Sequence, residues 1–208
     1  MAAPARLSRI RSVLSEPALV RFLIAVLVAW GANSAVSAFL SIRLVSLGAP
    51  ASLVGSAWAL GAIVEIPLMF ALPRLASRWG GDRLVVAGAA LFALRALSIA
   101  LLDDPVRVLA TMVLAGGGFA LLLVGGVTYV ARHAPAGAEA TTQGMLAAVV
   151  YGLAMILGSG LGGLGADALG LDRMFLLAFA IALVAVVGLA FAVVAEDAPD
   201  KRRRAAAG

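Results

Sequence analysis

Six long apolar runs, separated by short polar or basic segments, limit this chain more than any other feature of its sequence. They cover residues 19–45, 52–75, 84–102, 106–130, 140–166 and 174–195. The hydrocarbon core of a bilayer needs about 20 apolar residues in a helix, and each run meets that length to within a few residues. Unpaired backbone groups are too costly in hydrocarbon, so runs of this kind cross as helices. The expected fold is an all-α membrane protein with six transmembrane helices, a basic lead-in over 1–18 and a charged tail over 196–208. Composition supports this: 63% of the 208 residues are hydrophobic and 13% are charged, about half the charge of a soluble domain.

The basic residues carry a topology. Arg6, Arg9, Arg11, Arg21, Arg74, Arg78, Arg83, Arg132, Lys201, Arg202, Arg203 and Arg204 fall on one side of the six spans. Arg43, Arg107 and Arg173 fall on the other. Twelve against three predicts cytoplasmic N and C termini. The same placement argues against a nucleic-acid partner despite the net charge of +5, because the arginines sit at the ends of apolar runs and form no stripe interleaved with aromatics. A cleavable signal peptide, with Val36-Ser37-Ala38 as the cleavage site, is the competing reading of the first run. The run stays apolar well past Ala38, which favours a retained span.

Little enzymatic chemistry is available. With no cysteine and the single His133, the chain has no thiolate site, disulfide or histidine metal cluster. It shows no phosphate-cradling loop and no nucleophile with a base, so neither an enzyme nor a cofactor is expected. The informative residues are the ionisable ones inside the runs. Glu65 lies eight residues from Pro73, about 12 Å above the inner boundary, and Arg95 lies eleven residues from Leu84, at about 16 Å. Opposite charges at similar depth on consecutive antiparallel helices are natural partners. They form either a static ion pair locking spans two and three, or a proton-coupling element in which Glu65 alternates between Arg95 and a proton. Trp30, Asn33 and Tyr151 complete the candidate cavity set with Glu65. Asn33 and Tyr151 serve either as solute contacts or as hydrogen bonds between helices. Trp58 is nearer a membrane edge, and Trp79 is an anchor in the loop after span two. Glycines of spans four and five, including Gly158 and Gly162, are expected where helices approach closely. Span six is the most uniformly apolar and is expected to be the most lipid-exposed.

The stretches SEPALVRF, EIPLMF, SRWGGDRLVVAG, ALRALS, LLVGGVTYV and YGLAMILGSGLGG resemble the C-terminal six-helix half of a major facilitator superfamily transporter, in the branch of lactose permease and the nucleoside and phenylpropionate proton symporters. The segment SRWGGDR is similar to the superfamily's cytoplasmic signature, which marks Arg78, Gly80, Asp82 and Arg83 as a gating loop. The signature's acidic residue stands as Ser77 here. By the same resemblance Arg95 matches a functional arginine. The histidine and glutamate of the lactose-type proton relay fall at Ala115 and Gly118, a buried lysine falls at Tyr151, and its aspartate partner falls at Asn33.

Such transporters have two six-helix halves with the solute held between them; here there is one. The resemblance therefore implies a half-size secondary transporter in a bacterial cytoplasmic membrane, assembling as a homodimer to move a small organic solute by alternating access. Spans one, two, four and five would line the cavity, with three and six outside. Two other readings stand beside it: an exporter of lipophilic compounds or lipids, and a non-transporting membrane subunit or truncated half that needs another partner.

Overall fold

The computed structural model describes residues 3–206, with side chains over 7–193 other than 75 and 79. The helices in order are α1 (Ala3–Leu14), α2 (Pro17–Ser46), α3 (Ala51–Trp79), α4 (Gly81–Leu101), α5 (Pro105–Ala110), α6 (Met112–His133), α7 (Glu139–Ala148), α8 (Ala154–Leu169) and α9 (Leu171–Ala206). A π-helical turn, Val149–Leu153, joins α7 to α8. Among the described residues there are six stretches long and apolar enough to cross a membrane. Span one is α2, two is α3, three is α4, four is α5 with α6, five is α7 with α8, and six is α9. The Trp79 side chain, and the basic side chains of Arg6 and residues 201–204, lie outside the described residues.

Helix starts follow local chemistry. Pro17 opens α2 and Pro105 opens α5, positions where a missing N–H costs nothing and the fixed φ suits a first turn. Asp104 caps α5 by accepting from the Arg107 backbone N–H at 2.9 Å, satisfying one of the free donors of the first turn. Span two continues through Pro67 and Pro73 as one helix to Trp79. The segment SRWGGDR, expected as a loop, is therefore mostly helical. Gly80 alone separates α3 from α4, at φ +81°, a backbone conformation that L side chains resist and glycine adopts readily. Arg78 sits in the last turn of α3, and Asp82 and Arg83 sit in the first turn of α4.

Spans one and three each pack along two neighbours. Helix α4 packs along both α6 and α9, α2 packs along α9 and α8, and α3 packs along α6. Between α4 and α6 the backbones meet through small residues. A Cβ placed on Gly118 would lie 2.6 Å from Phe92 Cδ1 and 3.1 Å from the Gly88 carbonyl oxygen. Close approach of this kind holds helices together in lipid, where apolar surface alone gives no preference for another helix.

Burial is uneven in a way the sequence did not predict. Of the most apolar stretch of each span, 56% is buried in spans one and three and 50% in span four, against 33% in six, 22% in five and 11% in two. Span six is thus less open than two and five, because α9 lies in the groove beside α2 and α4. The large side chains left uncovered include Ile63, Ile66 and Phe70 on span two and Ile156, Leu161 and Leu164 on span five.

Candidate functional site: a polar cavity beside the open faces

A cavity of about 560 Å³ lies among the spans. Residues of spans one, two, four and five line it, and Arg95 joins them from span three. Trp30, Asn33, Glu65, Arg95 and Tyr151 all line this one space. Arg78, Gly80, Asp82 and Arg83 do not; they belong to the junction of α3 with α4. There Asp82 pairs with Arg132 at the end of α6, while Arg78 and Arg83 are exposed.

Aromatic rings form one wall. Trp30 is 4% exposed and meets Phe92, Phe119 and Tyr151 edge to face, with centroids 5.7, 5.3 and 6.5 Å away. Such pairs contribute about 0.5–1.5 kcal/mol each beyond their buried area, so Trp30 is a fixed element of the wall. Tyr151 sits at the middle of the π-helical turn. Turns of this kind carry one extra residue per hydrogen-bonded ring and are frequent at functional sites.

Arg95 is the second fixed element. Its side chain is almost fully buried, at 1% exposure. Nη1 donates to Asn33 Oδ1 at 2.6 Å and to Ser37 Oγ at 3.0 Å, and Nη2 donates to Met112 Sδ at 3.6 Å. Nε has no partner. The direct Glu65–Arg95 pair expected from their matching depths is not formed. Among the described residues the ion pairs within 4 Å are Arg43–Asp103, Arg43–Asp172 and Arg132–Asp82. The reason is lateral: similar depth brings both groups to one cavity, but Arg95 lies across α4 against α2 and α6, and Glu65 remains on α3, partly exposed to the cavity. Asn33, which the resemblance sets at an aspartate position, is the residue that holds Arg95.

Four serines of the cavity wall escaped the sequence reading, Ser159 on span five and three on span one. Ser34, Ser37 and Ser41 continue from Asn33 along α2, at steps that keep them on one face of a helix. The polar period in NSAVSAFLS was the available signal. Arg43, read from sequence only as part of the charge bias, is 7% exposed. It ties the end of α2 to Leu102 O at 3.1 Å, Asp103 at 3.3 Å and Asp172 at 2.8 Å. This closes one end of the bundle across three elements, opposite the end held by Asp82 and Arg132.

Comparison with known proteins agrees with this architecture. The family model described as MFS_1 like matches residues 3–177. The chain belongs to the major facilitator superfamily. A crystal structure of the nucleoside transporter NupG is similar with a TM-score of 0.73 at 19% sequence identity, covering 88% of this chain and 49% of that one. The chain thus spans about half the length of this structural relative, and the likeness shows the shared fold. A search among curated proteins gives no match. Family and apolar helices together make this an integral membrane protein.

Proposed function

We propose that this major facilitator half is a half-size secondary transporter, which pairs with a second copy of itself and moves a small organic solute by alternating access. The observation that carries the reading is the position of the cavity. It is lined in part by spans two and five, the two spans with the least buried surface, so something that covers those faces would complete its wall. A second copy about a two-fold axis supplies a matching half cavity and the same apolar faces. In this reading the Arg132 end and both termini face the cytoplasm, as the arginine bias requires, and the membrane is the bacterial cytoplasmic one. Rocking of the two copies opens the site alternately towards the Arg43 end and the Arg132 end.

Glu65 is the proton-coupling group in this reading. It lines the cavity, is partly exposed and takes part in no ion pair among the described residues. A carboxylate in that position is free to gain and lose a proton as the cavity changes sides. In proteoliposomes, Glu65→Gln is expected to remove the dependence of solute uptake on a pH gradient while solute exchange continues. An unchanged pH dependence would return Glu65 to a structural role.

A further inference from the structure

Arg95 presents a charge problem that the protein does not solve by itself. A buried guanidinium is strongly destabilised unless it is paired or fully hydrogen-bonded, yet its partners here are an amide oxygen, a hydroxyl and a thioether, all neutral, and its Nε is unpartnered. The partners in turn are polarised in one sense. Arginine can only donate, so Asn33 must turn Oδ1 towards it, and this leaves the Asn33 amide N–H groups as donors without an acceptor among the described residues. Ser37 likewise accepts from Arg95 through Oγ, and its own hydroxyl proton has no acceptor among those residues. Both side chains line the cavity. The α2 wall therefore offers an amide and a hydroxyl as donors, backed by a positive charge with no carboxylate within 4 Å among the described residues.

We infer that Asn33 and Ser37, polarised by Arg95, form an oxyanion-binding site, and that the solute of this transporter carries an anionic head such as a carboxylate. Chains of hydrogen bonds polarise and strengthen one another, and a hydrogen bond to an ionised acceptor such as a carboxylate is about twice as strong as one between neutral groups. The apolar body of the solute then lies against Trp30 and Phe119. Glu65, Arg95 and Tyr151 are the titratable groups among the described lining residues. An arriving anion adds a negative charge to a cavity that already holds the Glu65 carboxylate, so its binding favours the form in which Glu65 carries a proton. Anion and proton accordingly cross together. The inference rests on the transporter reading for its direction of movement, but the anion site itself can be tested without flux.

The test is thermal unfolding of the purified chain in lipid nanodiscs with benzoate and with benzamide, a pair of nearly the same shape that differs in charge. Benzoate is expected to raise the unfolding temperature and benzamide is not. Asn33→Asp replaces a donor with an acceptor and gives Arg95 a permanent counter-ion. It should weaken the benzoate effect about thirtyfold, as loss of one partner from a buried charged contact does. Ser37→Asp repeats the test from the other partner should Asn33→Asp alter the chromatographic profile. Equal stabilisation by benzamide, full benzoate binding in the aspartate variants, or no shift with either probe overturns the anion site. Benzoate binding without flux of any solute leaves the anion site standing and overturns the transporter reading. Flux of neutral solutes without benzoate binding does the reverse.

Discussion

Spans one, three and four and spans two and five are written in much the same apolar alphabet, yet they reach opposite situations. The first group buries half or more of its most apolar stretch, and the second leaves most of it uncovered. What separates them is how many neighbours each span packs along: α4 lies along both α6 and α9 and α2 along both α8 and α9, whereas α3 packs mainly along α6 and α8 mainly along α2. Close glycine contacts occur in both groups, at Gly88, Gly118 and Gly125 between spans three and four, at Gly116 against Gly61 of span two, and at Gly158 against Gly31 of span one. On the open faces, large residues such as Phe70, Ile156 and Leu164 stand out from the bundle. Lipid competes on equal terms for apolar side chains, so close fit rather than apolarity decides which helices join. The comparison also explains where the cavity is: the polar side chains gather at the edge between the closed group and the open one.

Two substitutions press on this contrast from opposite sides. The larger effect belongs to the closed group. Gly118→Val puts a branched side chain where even a Cβ would come within 2.6 Å of Phe92. Overpacking of this sort costs about 1–3 kcal/mol, and more where backbone must move. A clear fall in the unfolding temperature in detergent is expected, and an unchanged value would break the argument that close fit holds α4 to α6. The smaller effect belongs to the open group. A Cβ on Gly160 meets nothing within 4 Å, so Gly160→Ala should leave the detergent-solubilised monomer as stable as before or more stable by up to about 1 kcal/mol, the helix-propensity difference. A loss of stability there would mean that another part of the chain covers that face.

Much of the fold was legible in the sequence because the bilayer imposes its own ruler. The length of each apolar run announces a span, and the motif around SRWGGDR announces the junction of spans two and three. The junction's form was not legible, since nothing in the letters says that Gly80 alone makes the turn. The cavity set was half legible. Trp30, Asn33, Glu65, Arg95 and Tyr151 stand out as polar or aromatic residues within apolar runs, and the structure brings them to one space. Their pairing was not legible, because depth along a helix is a single coordinate and contact also needs the angle around it. Glu65 and Arg95 share the depth without the contact, while Arg95 and Asn33, on spans three and one, share both. The serines of α2 were missed for a related reason: three hydroxyls look like packing residues until an arginine is seen to rest on one of them. The π-helical turn at Tyr151 lies against α2 and carries no sequence signature.

The central claim is that the open faces of spans two and five meet a second copy of the chain in the membrane. The chain has no cysteine, so a single introduced thiol reports its surroundings without background. Met155→Cys places it on span five at the cavity, and Val184→Cys places it on span six, where the side chain is also exposed. Treatment in the bilayer with a short bifunctional thiol reagent should convert Met155→Cys from a band of 21.0 kDa to one of twice that mass and leave Val184→Cys as a monomer. A monomer in both variants, or equal cross-linking of the two, would contradict the account.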